Sequence, residues 1–562
     1  VLKKEELPIQ DLRGIGMDNN FKTLNRNNIF YNYFLEKKIL KVRNTISKDE
    51  LLERIILLSK FSWRNHSGYY FDGRLENILF DYGRNLDRYV DKKRVDSYVV
   101  KIFTEKMDCT ILHVATQLYE VGGHTRVLYQ FLKRHKDRKQ ILVLTDQTGE
   151  VPKWFIDGLG VSVKILTLDS VLSLCDRAYV LRHISTFCNA IILYHHPCDV
   201  VPVMAFADDK CPPVLIENHA HSWFWLGPSI ADLVFSHTKF HQEFTRKVRP
   251  VSNSYYLQGI QNEDLVGKFN LRDKVDARKK LKLGHDDVCL IAIGTYDKFI
   301  PNSQYNFYKT AKKILDRFKN VELFVVGISE STYLRNKYHL DSRRIHFVGV
   351  VSDPTIYYLA SDICLDALPQ PSLGATLYST LIGMSCPLFK YGKVNMFNTR
   401  KFLGAKLYDK YVGDSSCEGE YLNKLEFLID NPKVRIEIAN EIRGDYMRTH
   451  SSDVFIDNIY KMLDFTKEMK HQPVKISDGI CHYDDDSAEI AAASYYQDLS
   501  SVINHFDEYL SVSDRIIVVS LLSSKSVSLK DIVLYGWAIL KEMIVKIRDV
   551  FCELFLRVLR HE

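Results

Sequence analysis

Two series of short apolar runs predict an α/β protein of two facing, doubly wound Rossmann-like sheets with helical extensions at both ends. Each run stops at a turn, and helix-length spacers separate many of them. The first series begins at Ile111-Leu112-His113-Val114-Ala115 and recurs at Ile141 to Leu144, Val161 to Leu166, Ile191 to Tyr194, Val214 to Ile216 and Leu233 to Ser236. The second begins near Val288 and continues through Val321 to Gly327, Ile345 to Gly349, Ile363 to Leu365 and Pro387 to Phe389. Length agrees with this: at about 150 residues per domain, a chain of 562 residues makes three to four units.

In chain order, residues 1–105 are a helical segment, because Ile29 to Leu35 and Leu51 to Leu58 place apolar residues at helical spacing among charges. Residues 106–275 form the first α/β domain and residues 276–466 the second, with a hinge near Val251 to Arg278. After Thr466 the chain turns polar and acidic at Asp484-Asp485-Asp486, and 467–562 reads as a helical extension. Its last stretch, Ile539 to Arg560, reads as a packed amphipathic helix, with a membrane-surface or partner helix as the alternative.

Composition removes several classes. Gly and Pro number only 26 and 15 while 46% of residues are hydrophobic, which excludes collagen-like, linker-like and disordered chains. Lys plus Arg at 76 against Asp plus Glu at 70 leaves +6, so charge implies neither a nucleic-acid coat nor a polybasic arm. Eleven scattered cysteines without a C-x-x-C pair suit reduced thiols in a cytoplasmic protein. No run approaches the roughly 20 residues of a membrane span, and the first residues lack a signal peptide's apolar core.

Four loops carry the chemistry. Gly122-Gly123-His124-Thr125-Arg126 follows the first strand and opens a helix, where bare amides receive anions or hydroxyls. Thr295 and Lys298, after the first strand of the second series, suit a diphosphate, which a lysine neutralises as a point charge. Gly374-Ala375-Thr376 opens another helix, with amides and a hydroxyl for phosphate oxygens. Glu217-Asn218-His219-Ala220-His221-Ser222-Trp223 combines imidazoles for hydroxyls with an indole face for sugar C–H bonds. The H-x-H pair lacks a spaced carboxylate or cysteine set, so no metal site is expected.

Over roughly residues 108 to 465 these motifs resemble the GT-B glycosyltransferases, in the bacterial surface-polysaccharide and O-GlcNAc-transferase-like branches. Leu112-His113-Val114 with Gly122 to Val127 is similar to the opening of many bacterial members. Asn218-His219-Ala220 with Phe224-Trp225-Leu226-Gly227 resembles a polysaccharide-transferase pattern, and Gly294 to Pro301 resembles the donor-diphosphate loop. Val348-Gly349 and Asp366 lie on what resembles the donor-domain path to the nucleotide. The sequence departs from the family where retaining members carry two glutamates: Gln370 and Tyr378 stand there. His221-Ser222 stands where the family has Asp-His. Asp366 or Glu217 would then replace the missing ribose-binding acid.

The resemblance implies transfer of a sugar from a nucleotide diphosphate sugar, UDP-linked, to a saccharide, lipid-linked or protein acceptor. It implies no cofactor beyond the donor substrate and no metal. Position assigns His219, His221 and His124 as catalytic groups. Lys298, Thr295, Gly374, Ala375, Thr376, Gly122 and Gly123 are assigned to donor phosphates, and Gly349, Asp366 and Tyr378 to the nucleotide. Glu217, Trp223 and Arg126 are assigned to the acceptor. Expected surroundings are the cytoplasm, with the inner membrane face or a partner glycosyltransferase as further contacts, and no nucleic acid. The rival readings are a catalytically silent glycosyltransferase-like subunit, a nucleotide-sugar epimerase, and a scaffold built on the C-terminal helix.

Overall fold

A computed structural model describes residues 19–102, 110–120, 123–135, 139–160, 163–258, 270–302, 304–340, 343–383, 385–392, 406–492, 494 and 499–523. The Ile539 to Arg560 helix and residue Gly122 lie outside them.

Seven strands form the first sheet: β1 (Ile111–Ala115), β2 (Gln140–Leu144), β3 (Val163–Thr167), β4 (Ala190–Tyr194), β5 (Val214–Glu217), β6 (Leu233–Ser236) and β7 (Ser254–Tyr256). Five form the second: β8 (Val288–Ile293), β9 (Val321–Val326), β10 (Ile345–Gly349), β11 (Ile363–Leu365) and β12 (Cys386–Leu388). Both are parallel, in the orders β3-β2-β1-β4-β5-β6-β7 and β10-β9-β8-β11-β12. β1 is buried along its whole length because helices cover both faces, which is why it reads as an unbroken apolar run. The strand order reverses between β1 and β4 and between β8 and β11. Loops leaving those strands diverge to opposite faces and open a crevice, the place where such sheets take ligands.

β7 is absent from the sequence reading. Ser254-Tyr255-Tyr256 is half-buried and only three residues long, so it offers no alternation to detect within what reads as a hinge.

The N-terminal segment folds as α1 (Asn19–Phe34), α2 (Lys48–Arg64), α3 (Gly73–Arg84) and α4 (Lys92–Ile102). The start of α2 is fixed by Ser47, whose side chain accepts from the Glu50 amide, and by Asp49 and Glu50 against the helix dipole. Its buried stripe is Leu51, Leu52, Ile55, Leu58 and Phe61. One apolar cluster joins Phe34 and Phe61 with Leu112 and Ile191 of the first sheet and with Phe506 near the C-terminus. The Phe34 and Phe506 rings lie 4.5 Å apart. The described parts of both flanks therefore pack on one face of the first sheet, continuous with its core.

The opposite face is covered by α5 (Gly123–Arg134) and by the Ser452–Thr466 helix, whose Phe455, Ile459 and Met462 reach back from the end of the second domain. Asn458 donates to Gln258 at 2.9 Å and Arg134 Nε to Ser452 Oγ at 2.9 Å, tying that helix to the first domain. The chain then runs as a strap to about residue 483. Buried His471 bonds through one ring nitrogen to Asp232 and through the other to the Phe206 carbonyl, each at 2.6 Å. Further along, strap backbone lies on the N-terminal segment so closely that a Cβ on Gly73 would sit 2.1 Å from the Ser477 carbonyl oxygen. A Cβ on Gly479 would sit 2.3 Å from that of Phe71. The described cysteines are free thiols, and no described helix is long and apolar enough to cross a membrane.

Gly73→Ala is expected to lower unfolding free energy by about 1–3 kcal/mol, the cost of forcing backbone apart in a packed contact. Urea unfolding monitored by tryptophan fluorescence measures it, with Gly444→Ala, at an open position, as the control.

Candidate active site

Glu217, the last residue of β5, is almost fully buried and would be costly as an isolated charge. Two imidazoles compensate it. His219 Nδ1 lies 3.0 Å from Oε2, and His237, just past the end of β6, places Nε2 2.9 Å from Oε1. Burial pushes the Glu217 carboxyl up, but the bonds from His219 and His237 outweigh it and hold the group well below the usual carboxylate range.

His237 also faces the Leu257 carbonyl through Nδ1 at 3.0 Å. Both its nitrogens meet acceptors, so both carry hydrogen and the ring is an imidazolium. Burial opposes that charge, yet the bond to Glu217 prevails and the pKa is raised. His219 has only one nitrogen so engaged. Its Nδ1 bonds Glu217, and no described residue bonds its Nε2.

The His124 ring lies 4.5 Å from that of His219, centroid to centroid. His124 Nε2 donates to the Tyr194 carbonyl at the end of β4, 2.7 Å away, which leaves buried Nδ1 without a hydrogen-bond partner. Burial, then the neighbouring His219, push its pKa down to about 4, so the ring is neutral at pH 7. His195 closes the recess from beside, donating Nε2 to the Leu226 carbonyl at 2.7 Å. Among the described residues, His124, Glu217 and His219 offer ligand atoms within 4.8 Å of one another, close enough to hold a metal ion. Both Glu217 oxygens already bond to ring nitrogens, so the group as it stands is a carboxylate–imidazole relay more than an open ligand set.

The structure corrects other first-domain expectations. His221 does not join the His124–His219 pair. It stacks on His241 at 3.3 Å and bonds Ser222 Oγ at 2.6 Å, because the loop turns there to give its backbone carbonyl to Arg249. Trp223 packs at the domain edge with Tyr70 and Phe244 instead of lining the recess, since its own carbonyl is also held by Arg249. Arg249 is buried, stacks over Trp225 at 4.7 Å, and has its pKa pushed down to about 9 by burial. Gly123 opens α5 in open space: a Cβ added there would meet nothing within 4 Å, so no close protein contact requires glycine. Arg126 is exposed, lies over Trp154 at 5.0 Å, and its charge reaches Tyr358 of the second domain.

Loops at the other switch point gather the donor-side residues. Lys298, in a short turn after β8, donates Nζ to the Pro371 carbonyl at 3.0 Å. Burial pushes its pKa down while Asp366 and Asp297 oppose the fall. Asp366, after β11, accepts from the Ser372 and Ala367 amides at 2.8 and 3.0 Å, which shapes the loop entering the Leu373–Gly383 helix. Gly349 ends β10 with φ +79°, a conformation favouring glycine. Thr295 is exposed, as is Gly374, whose surroundings are open. Thr376 departs from expectation. Its amide already donates to the Ser372 carbonyl at 2.9 Å and its side chain is buried near Cys364, one helical turn being enough to face it inward. Gly374 and Ala375 keep the first-turn amides that a helix leaves unbonded. Tyr378, a turn further, stacks with Tyr358 at 6.2 Å.

Sequence reasoning missed Ser372, whose buried hydroxyl has no hydrogen-bond partner among the described residues. It also missed His237 and Glu76. Glu76, on α3, accepts from the Gly227 amide at 2.6 Å, the Ser229 amide at 3.3 Å and the Ser229 hydroxyl. It thereby holds the loop whose Leu226 carbonyl orients His195.

No protein-family model matches the chain, and no curated protein sequence matches it. Solved structures do. Anabaena HepE, in complex with UDP and glucose, is 14% identical over 63% of this chain and 99% of that one, with a TM-score of 0.50. A glycosyltransferase from Rickettsia africae is 8% identical over 64% and 100%, TM-score 0.49. A Thermobaculum terrenum O-GlcNAc transferase mutant is 11% identical over 79% and 83%, TM-score 0.45. Together with the two parallel sheets, the first of these shows the fold. The chain has the architecture of the GT-B glycosyltransferases, at low sequence identity to these three.

Glu76 gives a pH test of the site's scaffold. Burial raises its pKa from 4.5 to about 7, despite the bonds from Ser229 and Gly227 that favour the carboxylate. The folded state thus holds a proton that the unfolded chain has already lost, so stability falls as pH rises from about 4.5 through about 7, by roughly 3 kcal/mol. Glu76→Gln carries no such proton and should flatten that slope, as read by urea unfolding at about pH 5 and about pH 8.

Proposed function

We propose that this chain is a glycosyltransferase that moves a sugar from a nucleoside diphosphate sugar, UDP-linked, to a hydroxyl of a saccharide, lipid-linked or protein acceptor. The observation that carries the reading is Glu217, which engages His219 Nδ1 and leaves Nε2 bare one strand from the first sheet's switch point, beside His124 of the loop after β1. A base so oriented is what deprotonation of an acceptor hydroxyl requires. The complementary need, charge stabilisation for a departing diphosphate, is met by Lys298 and the Gly374 and Ala375 amides at the second switch point. HepE with UDP and glucose gives a structural precedent for such ligands on this fold.

In the reaction, His219 Nε2 takes the acceptor hydroxyl's proton as its oxygen bonds to the anomeric carbon. The bond from that carbon to the diphosphate breaks, and its electron pair leaves with the phosphate oxygen. Glu217 stabilises the imidazolium that forms, and His124, neutral, orients a hydroxyl beside it. Lys298 has its charge strengthened in effect by burial, since fewer waters screen it.

The second reading, a catalytically silent subunit, draws support from Gln370 and Tyr378, which place no carboxylate where the resemblance expects two. A thermal-shift screen of UDP, GDP, CMP and their sugars, followed by nucleotide-release assays with each stabilising donor, separates the two readings. Active transfer predicts stabilisation by UDP and release of UDP. His219→Ala should lower that release by about 10²- to 10⁴-fold, while His221→Ala should lower it by less than about tenfold. Lys298→Ala should weaken UDP binding. Absence of release, with or without binding, would contradict the transferase reading and favour the silent one, the more so if the chain co-purifies with a homologue.

A further inference from the structure

The end of α2 comes within reach of the candidate site. Lys60, Trp63 and Arg64 lie three and four residues apart, so they share one face of its last turn. The Trp63 ring stacks on His196 at 6.0 Å and 29°, and His196 stacks on Tyr119 at 5.7 Å and 11°. The Tyr119 hydroxyl and His196 Nε2 lie 3.3 Å apart. The row continues into the site: His196 is 6.1 Å from His124, which is 4.5 Å from His219. Tyr119 is 40% exposed and Trp63 half-buried, so the ledge is open to a ligand.

Charge gives the ledge its sign. The Arg64 guanidinium lies over the Trp63 ring, 5.8 Å from its centroid, and Lys60 stands one turn before it on the same helix face. Two acids oppose these cations but have partners of their own. Asp146 pairs with Arg177 at 2.8 Å, and buried Asp199 accepts from the Thr116 and Thr145 hydroxyls and the Val201 amide. A helix C-terminus attracts cations anyway. Here, however, the two flank aromatic rings that lead towards a base, and the exposed Tyr119 ring at the end of that row suits a pyranose that carries negative charge.

We propose that the N-terminal helical segment supplies an acceptor subsite, in which Trp63, His196 and Tyr119 carry a sugar ring and Lys60 and Arg64 select saccharides bearing phosphate or carboxylate groups. This rests on the glycosyltransferase reading and adds the acceptor's chemical class to it.

The test is titration of the full chain with three oligosaccharide probes of matched length: an oligo(glycerol phosphate) glycoside, an oligogalacturonate and neutral maltohexaose. UDP is titrated in parallel. At least one anionic probe should bind roughly tenfold more tightly than maltohexaose at low salt, and the preference should collapse at about 0.5 M salt. Which anionic probe binds tells phosphate from carboxylate. The Lys60→Gln/Arg64→Gln pair should abolish the preference, and Trp63→Ala should weaken all probes, with UDP binding unchanged in each. Equal binding of charged and neutral probes by the unaltered chain would overturn the proposal. So would a preference that survives either the double variant or high salt, or Trp63→Ala binding unchanged. Failure of UDP to bind would instead count against the glycosyltransferase reading, leaving the probe titrations readable on their own.

Discussion

A carboxylate buried at the end of a central strand is the constraint around which the site is organised. Glu217 cannot stay ionised in the sheet's interior without partners, and the two rings that serve it have different consequences. His237 is consumed as a counter-ion, held between Glu217 and a backbone carbonyl. His219 is left with one nitrogen satisfied and the other bare. A single buried charge thus fixes the tautomer of a base, and does so from a strand end, where backbone pairing limits how far the carboxylate can shift.

The envelope around that strand end comes from far away in the chain. α3 lends Glu76 to the loop that orients His195, and the strap after the Ser452–Thr466 helix presses on α3 through backbone contacts that glycine alone permits. The first sheet, the described parts of both flanks and the returning helix share packed apolar surface, so disturbance at the strap is transmitted to the site scaffold. The second domain supplies its loops independently, from a core of its own.

Much of the fold is legible in the sequence because parallel strands covered on both faces are short apolar runs bounded by turns, and β1, β4, β5, β8 and β9 all take that form. β7 is not, because three half-buried residues make no pattern. In the site, Glu217, His219, His124 and Lys298 are legible as polar residues directly after such runs. His237 is equally close to the end of β6, but its meaning depends on β6 lying beside β5, which is a matter of strand order. Glu76 and Trp63 belong to amphipathic helices whose sequence tells only which face is buried. Thr376 and His221 err the other way: each sits in a suggestive motif, and one turn of helix or one carbonyl held by Arg249 points it elsewhere.

The most direct measurement of this account is the ring tautomer of His219 at neutral pH, read from imidazole ¹⁵N shifts in selectively labelled protein and assigned by His219→Ala. The account predicts hydrogen on Nδ1 and a bare Nε2, with that preference lost in Glu217→Gln. A ring bearing its hydrogen on Nε2, or doubly protonated at pH 7, or unaffected by Glu217→Gln, would contradict it.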